Sequence, residues 1–188
     1  NTAPCIAYIS FKLHQQNPNA NLICAPADHL ILNTTDFVKV CLEALGFTSE
    51  NNALLTLGIK PTYPNTGYGY IQYEQPAVSD NVYKVKTFTE KPDIELAKTF
   101  ISSGDFLWNA GIFVWQTRHI IKAFDIHLPE LYELFDGTRN AMNTEKEAEA
   151  IELIYPLCVS TSIDYGILEK AENVYVIPAS FGWSDLGT

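Results

Sequence analysis

Two short, almost wholly apolar stretches, Leu-Ile-Cys-Ala at 22–25 and Ala-Leu-Leu-Thr-Leu-Gly-Ile at 53–59, constrain this chain most. Strands this apolar are buried on both faces and need helices to cover them. Between the two lies a segment with Phe37, Val40, Cys41, Ala44 and Leu45 at helical spacing, which Thr35-Asp36 is positioned to cap and which should stop at Gly46 or a little beyond. Strand–helix–strand alternation of this kind is the sequence form of an α/β fold with parallel pairing. Ahead of it, Thr2-Ala3-Pro4 reads as a capped helix start, with Ile6, Ile9 and Leu13 on one stripe and Asn17-Pro18-Asn19 closing it.

Downstream, 63–74 is rich in Tyr, Gly, Pro and Asn and reads as a loop leading into a strand at 70–73. A strand at 82–88, a helix at 93–103 and an aromatic-rich strand at 109–115 follow. Helical patterns then cover 117–124, 128–135, 145–153 and 162–170, before a last strand at 174–177 and the turn Gly182-Trp183-Ser184-Asp185. The acidic run 145–152 reads as a solvated helix face. With 188 residues, 47% hydrophobic and 18% charged, the chain is of single-domain size and able to bury a core.

Charge narrows function. Twelve basic against 22 acidic side chains give a formal charge of −10, which argues against nucleic-acid binding. Arg118 and Arg139 are the only arginines, so phosphate chemistry would lean on lysine, metal or backbone amides. Cys5, Cys24, Cys41 and Cys158 form no CxxC pair; Cys5, Cys24 and Cys41 lie in apolar contexts and are expected to be buried free thiols, as suits a reducing cytoplasm. No apolar run approaches the ~20 residues that span a bilayer, and no signal pattern opens the chain. A cytoplasmic protein with no membrane segment is expected. The sequon Asn33-Thr34-Thr35 carries no weight in that setting.

Asp28 falls just past the 22–25 strand, where α/β folds place ligands, and there it serves either as a ligand of a hard cation such as Mg²⁺ or as the cap of a turn. His29 beside it reads as a hydrogen-bonded structural residue or a ligand. Asp185, between glycines and after a tryptophan, is either a second metal carboxylate or a turn aspartate. Thr66-Gly67-Tyr68-Gly69-Tyr70 is a tight turn, exposing backbone to a ligand or closing a hairpin. Glu90-Lys91 suits a sugar hydroxyl and a phosphate, or forms a surface ion pair, and the Asn109 amide suits vicinal hydroxyls. No Ser-His-Asp or Cys-His arrangement is present.

In order along the chain, Pro26-Ala27-Asp28-His29, Thr66-Gly67-Tyr68-Gly69-Tyr70-Ile71, Phe88-Thr89-Glu90-Lys91-Pro92, Trp108-Asn109-Ala110-Gly111-Ile112-Phe113, Ser162-Ile163-Asp164-Tyr165-Gly166 and Gly182-Trp183-Ser184-Asp185-Leu186-Gly187-Thr188 closely resemble the mannose-1-phosphate guanylyltransferases. Asn1-Thr2-Ala3-Pro4 resembles that family's segment before its second characteristic helix. The resemblance implies a Rossmann-like nucleotide-diphospho-sugar transferase fold, a mixed, mostly parallel sheet flanked by helices. It also implies the reaction of GTP with mannose 1-phosphate to give GDP-mannose and pyrophosphate. Asp28 and Asp185 would hold Mg²⁺, Glu90 and Asn109 the mannose hydroxyls, and Lys91 a phosphate. Gly67 would offer backbone to the sugar, and Asn1, Ala3 and Pro4 would border the nucleotide's base and ribose.

The family's glycine-rich triphosphate loop lies upstream of the segment that the first four residues resemble. The resemblance therefore implies that 1–188 is an N-terminally truncated, partial nucleotidyltransferase domain with little activity of its own, prone to self-association as a homo-oligomer through exposed sheet edges. Two other readings remain: a sugar-1-phosphate thymidylyl- or uridylyltransferase, and an inactive sugar-nucleotide-binding regulator, which retention of both Asp28 and Asp185 disfavours.

Overall fold

A computed structural model describes residues 1–187; Thr188, the last residue of the 182–188 motif, lies outside the described residues. The chain divides into two compact units, Asn1–Leu22 with Trp115–Glu172, and Ile23–Val114 with the stretch from Asn173 onward. In chain order the elements are α1 (Thr2–Gln16), β1 (Asn21–Cys24), β2 (His29–Ile31), α2 (Thr34–Glu50), β3 (Leu54–Ile59), β4 (Tyr70–Tyr73), β5 (Tyr83–Thr89) and α3 (Ile94–Ser103). They continue with β6 (Phe106–Gln116), α4 (Thr117–His127), α5 (Pro129–Gly137), α6 (Glu147–Ile154), a 3₁₀ turn Tyr155–Leu157, a π turn Asp164–Leu168, β7 (Val174–Ala179) and β8 (Trp183–Asp185).

The sheet unit is built on six strands in the order β1-β6-β3-β7-β5-β4, with β4 also paired to β6. β3 and β7 run parallel, as two apolar strands joined through helices should. β5 runs antiparallel to both β7 and β4, and β4 antiparallel to β6, so the sheet is mixed. Leu55, Leu57, Ala110, Ile112, Val114 and Ile177 from β3, β6 and β7 form the main core with Ala44 of α2 and Phe181. A second, aromatic cluster gathers Tyr68, Tyr70, Phe106 and Trp108 around Ala97 of α3.

The helical unit packs α1, α4 and α5 against one another. Phe11 meets Tyr132 and Phe135 at ring-centroid distances of 5.6 and 6.0 Å. Arg139 lies 5.2 Å over the Phe11 ring, a cation–π contact.

Several expectations are corrected. Asn1, not Thr2, caps α1: its Oδ1 accepts from the Thr2 N–H at 3.1 Å, while Thr2 Oγ1 accepts from Ile163 N at 2.9 Å. Asn33, not Thr35, caps α2 by accepting from Asp36 N at 3.1 Å, and Asp36 Oδ2 accepts from Asn33 Nδ2 in return. α2 ends beyond Gly46 rather than at it, running to Glu50 because Thr48, one turn from Ala44, is buried on the same face and outweighs the glycine cost of about 1 kcal/mol. Cys5 is exposed, because α1 turns Ala3, Pro4, Ile6, Ala7, Ser10 and Phe11 inward and Cys5 outward; none of the four cysteines is in a disulfide. The acidic run is not merely solvated. Glu147 accepts from Tyr8 Oη, Lys12 Nζ and Asn143 N, a clamp that holds the start of α6 to α1. Finally, 183–185 is a strand, not only a turn: β8 pairs with β2 in a separate two-stranded ribbon. No helix among the described residues is long and apolar enough to cross a membrane.

Candidate active site of the sheet unit

The β2–β8 ribbon brings the two aspartates together. Its antiparallel register sets His29 opposite Asp185, Leu30 opposite Ser184 and Ile31 opposite Trp183. Backbone bonds from Leu32 N to Gly182 O (3.0 Å) and from Asn33 N to Phe181 O (2.9 Å) extend the pairing, and Leu186 N donates to Asp28 O at 3.1 Å. Ile31 and Trp183 pack on the main core while Leu30 and Ser184 face out. This two-residue alternation locks the register, since a one-residue slip would turn the apolar face to water. His29 and Asp185 share the inward face with Ile31 and Trp183.

At the ribbon's end a carboxylate oxygen of Asp28, a ring nitrogen of His29 and a carboxylate oxygen of Asp185 lie within 4.8 Å of one another. Gly187 closes round them: its N–H donates to Asp185 Oδ1 at 2.7 Å. A Cβ at Gly187 would stand 2.8 Å from Asp28 Oδ2 and 3.1 Å from Asp185 Oδ1, so only glycine lets the backbone approach this closely. Two acidic oxygen donors converging on one point fit a hard divalent cation that keeps its other positions for water and phosphate.

A second group of predicted residues meets around Gly69. A Cβ there would lie 2.5 Å from Glu90 Oε2 and 3.3 Å from Asn109 Cβ, and Asn109 N donates to Gly69 O at 2.8 Å. Thus Glu90, at the end of β5, and Asn109, within β6, flank one glycine. The Glu90 side chain is only 11% exposed; Lys91 Nζ stands 3.8 Å from its Oε1 and is itself 59% exposed. Lys91 has φ 48°, a left-handed conformation unusual for a residue with a side chain, directly before Pro92. Asn109 is buried, and its Oδ1 accepts from Thr56 Oγ1 at 2.9 Å and from Gly111 N at 3.1 Å. Both lone pairs of the amide oxygen are therefore engaged. Gly67 N donates to Asn65 Oδ1 at 2.7 Å.

Between the two groups runs a line of rings. Tyr63 meets Trp108 (5.1 Å between centroids), Trp108 meets Tyr68 (5.2 Å), Tyr68 meets Trp183 (5.1 Å) and Trp183 meets His29 (5.2 Å), all at steep angles. Trp183 Nε1 also donates to His29 Nδ1 at 3.0 Å. Asp28, Asp185, Glu90, Lys91, Asn109 and Gly67 all belong to this unit. Asn1, Ala3 and Pro4 belong to the helical unit, where Asn1 is exposed and Ala3 and Pro4 are buried at the start of α1. The close backbone approach expected of the glycines flanking Asp185 is found at Gly187, whereas sequence reasoning missed Thr56, the contacts of Gly69 and the Trp183–His29 bond. The one available signal was a tryptophan two residues before an aspartate.

The nucleotidyl transferase family profile matches residues 1–188. A mannose-1-phosphate guanylyltransferase of Escherichia coli is 32% identical over 195 residues, covering 100% of this chain and 41% of its own length. A second one, of Salmonella typhimurium, is 35% identical over 191 residues, covering 100% of this chain and 40% of its own. Among solved structures, a mannose-1-phosphate geranyltransferase from Thermus thermophilus superposes with a TM-score of 0.87 at 28% identity, covering 100% of this chain and 52% of that one. The chain spans about two-fifths of the length of the curated relatives it matches.

Proposed function

The chain belongs to the nucleotidyl transferase family, and from that premise we propose that the protein transfers a guanylyl group from GTP to mannose 1-phosphate, giving GDP-mannose and pyrophosphate. The reading rests on one observation above the others: Asp28 and Asp185, distant in sequence, converge at the end of one ribbon. The names of the Escherichia coli and Salmonella typhimurium relatives support the choice of substrates.

The chemistry needs no protein nucleophile. An oxygen of the sugar phosphate attacks the α-phosphorus in line, a new P–O bond forms as the bond to the β-phosphate oxygen breaks, and pyrophosphate leaves with that electron pair. Asp28 and Asp185 would hold Mg²⁺, and the chemistry the ion would supply when bound is charge neutralisation. Glu90 and Asn109, which flank Gly69, hydrogen-bond the mannose hydroxyls. Gly67 offers backbone to the sugar, and the Lys91 ammonium faces a phosphate. By the resemblance, Asn1, Ala3 and Pro4 would border the nucleotide's base and ribose. We further propose that the protein works in the cytoplasm as a homo-oligomer and binds no nucleic acid.

The test is pyrophosphate release by the intact protein, with GTP, UTP, dTTP and ATP each offered with mannose 1-phosphate or glucose 1-phosphate. Mg²⁺-dependent turnover of GTP with mannose 1-phosphate is expected. Preference for UTP or dTTP with glucose 1-phosphate would instead make the protein a uridylyl- or thymidylyltransferase. Binding of GDP-mannose without turnover of any pair would make it a regulator.

A further inference from the structure

His29 has the position of a third metal ligand but not the electrons for it. The indole Nε1 of Trp183 is only ever a donor. Its 3.0 Å bond to His29 Nδ1 therefore makes that nitrogen an acceptor and engages its lone pair. In a neutral imidazole with Nδ1 accepting, the hydrogen is on Nε2. One ring nitrogen is thus occupied by the indole and the other by its own hydrogen, although a ring nitrogen lies within 4.8 Å of carboxylate oxygens of both Asp28 and Asp185. The ring is also held mechanically: the two side chains are diagonal neighbours on the inward face of the ribbon and cross edge-to-face at 86°. The Nε2–H is the single hydrogen the neutral ring has left to give, and the carboxylates of Asp28 and Asp185 are the acceptors grouped with it.

We propose that His29 is a positioning residue and not a metal ligand: Trp183 fixes it as the Nε2–H tautomer, and in that form it donates into the Asp28–Asp185 pair and keeps their oxygens aimed at a common point. The inference rests on the reading that these two aspartates hold the divalent ion. It gives the ribbon a division of labour, with Trp183 setting the tautomer, His29 orienting the carboxylates, and a cation bound by protein oxygen atoms only. An all-oxygen set favours Mg²⁺ over borderline metals that seek nitrogen.

The direct test is a long-range ¹H–¹⁵N spectrum of the imidazoles of the intact, metal-free protein. His29 is expected to show an unprotonated Nδ1 and a protonated Nε2; the reverse assignment overturns the proposal. Trp183→Phe is expected to abolish the tautomer preference and to shift metal preference from Mg²⁺ toward Zn²⁺ as a ring lone pair is released. A second pair of variants separates donation from bulk, because the glutamine amide reaches the position of Nε2 and the asparagine amide that of Nδ1. His29→Gln is expected to bind Mg²⁺ within about 3-fold of the wild type and His29→Asn to weaken it about 10-fold or more, the usual scale for a lost partner of a metal ligand. Equal losses in the two variants, or an Nε2 signal that moves as a direct ligand on titration with Zn²⁺, overturn it as well. If tautomer and affinities come out as stated but GTP and mannose 1-phosphate yield no pyrophosphate, the guanylyltransferase reading fails and this one stands. Normal turnover with the hydrogen on Nδ1 has the opposite meaning: the guanylyltransferase reading stands and this one fails.

Discussion

At the scale of single residues, the site is defined as much by absent side chains as by present ones. Gly69→Ala would drive a methyl against Glu90 Oε2 and Asn109 Cβ. Displacing that pair by a fraction of an ångström should raise KM for mannose 1-phosphate about 10- to 100-fold, the scale at which misplaced binding groups cost rate. Steady-state kinetics alongside a thermal melt would check that the loss is one of geometry and not of folding. Asp185→Asn keeps the hydrogen-bonding shape but removes a charge from the cation site, and should lower kcat/KM about 100-fold or more, seen in Mg²⁺ titrations of the rate. Asp28, Glu90, Lys91, Asn109 and Asp185 were legible as chemistry from their types and contexts. The close approach at Gly187 was legible beside Asp185, but its partner Asp28 and the contacts of Gly69 were not. What a glycine makes room for is decided by atoms far away in the chain, here Glu90 for one and Asp28 for the other.

At the scale of elements, the helical unit carries the pH sensitivity. Burial lowers the pKa of His14 on α1 and of His119 and His127 on α4 below the ordinary 6.5, and nearby Arg139, Arg118 with Lys122, and Lys170 respectively push the same way. A histidine that protonates less readily when folded adds stability above its unfolded pKa and loses it as pH falls through 6.5 toward the folded value. Hydrogen exchange at pH 7.5 and 5.5 should therefore show α1 and α4 losing protection. Glu147 behaves in the acidic range: hydrogen bonds from Lys12, Tyr8 and the Asn143 amide hold its carboxyl down to about 2. Its contribution is whole above the ordinary 4.5 and disappears as pH falls through about 2. Glu147→Gln should accordingly lower the melting temperature at pH 7 and leave it almost unchanged near pH 2. Periodicity located nearly all of these helices, because amphipathic spacing is a local signal. Their caps were displaced by a residue or two, since Asn1, Thr2 and Asn33 all offer capping oxygens and only the docked chain decides among them. The Glu147 clamp was invisible, because its partners Tyr8 and Lys12 lie on another helix.

At the scale of the whole molecule, the α/β class followed from apolar strands alternating with helices, and the parallel β3–β7 pair bears this out. The antiparallel β4–β5 pair and the β2–β8 ribbon were less legible. Strands of three or four residues carry too little pattern to declare a partner. β1 ends the strand order and is half-exposed, with Ile23 at 40%, whereas β4 at the other end is paired on both sides. An open apolar edge invites a further strand. Ile23→Lys should therefore shift any self-associated species toward smaller ones in size-exclusion chromatography at high concentration. The ribbon has a consequence in time as well. Trp183 and His29 are separated by 154 positions, so a growing polypeptide on the ribosome makes β3 through β7 before the cation's two anchors can meet. Until Asp185 emerges from the exit tunnel, the two carboxylates proposed to share a cation stay apart on the nascent chain.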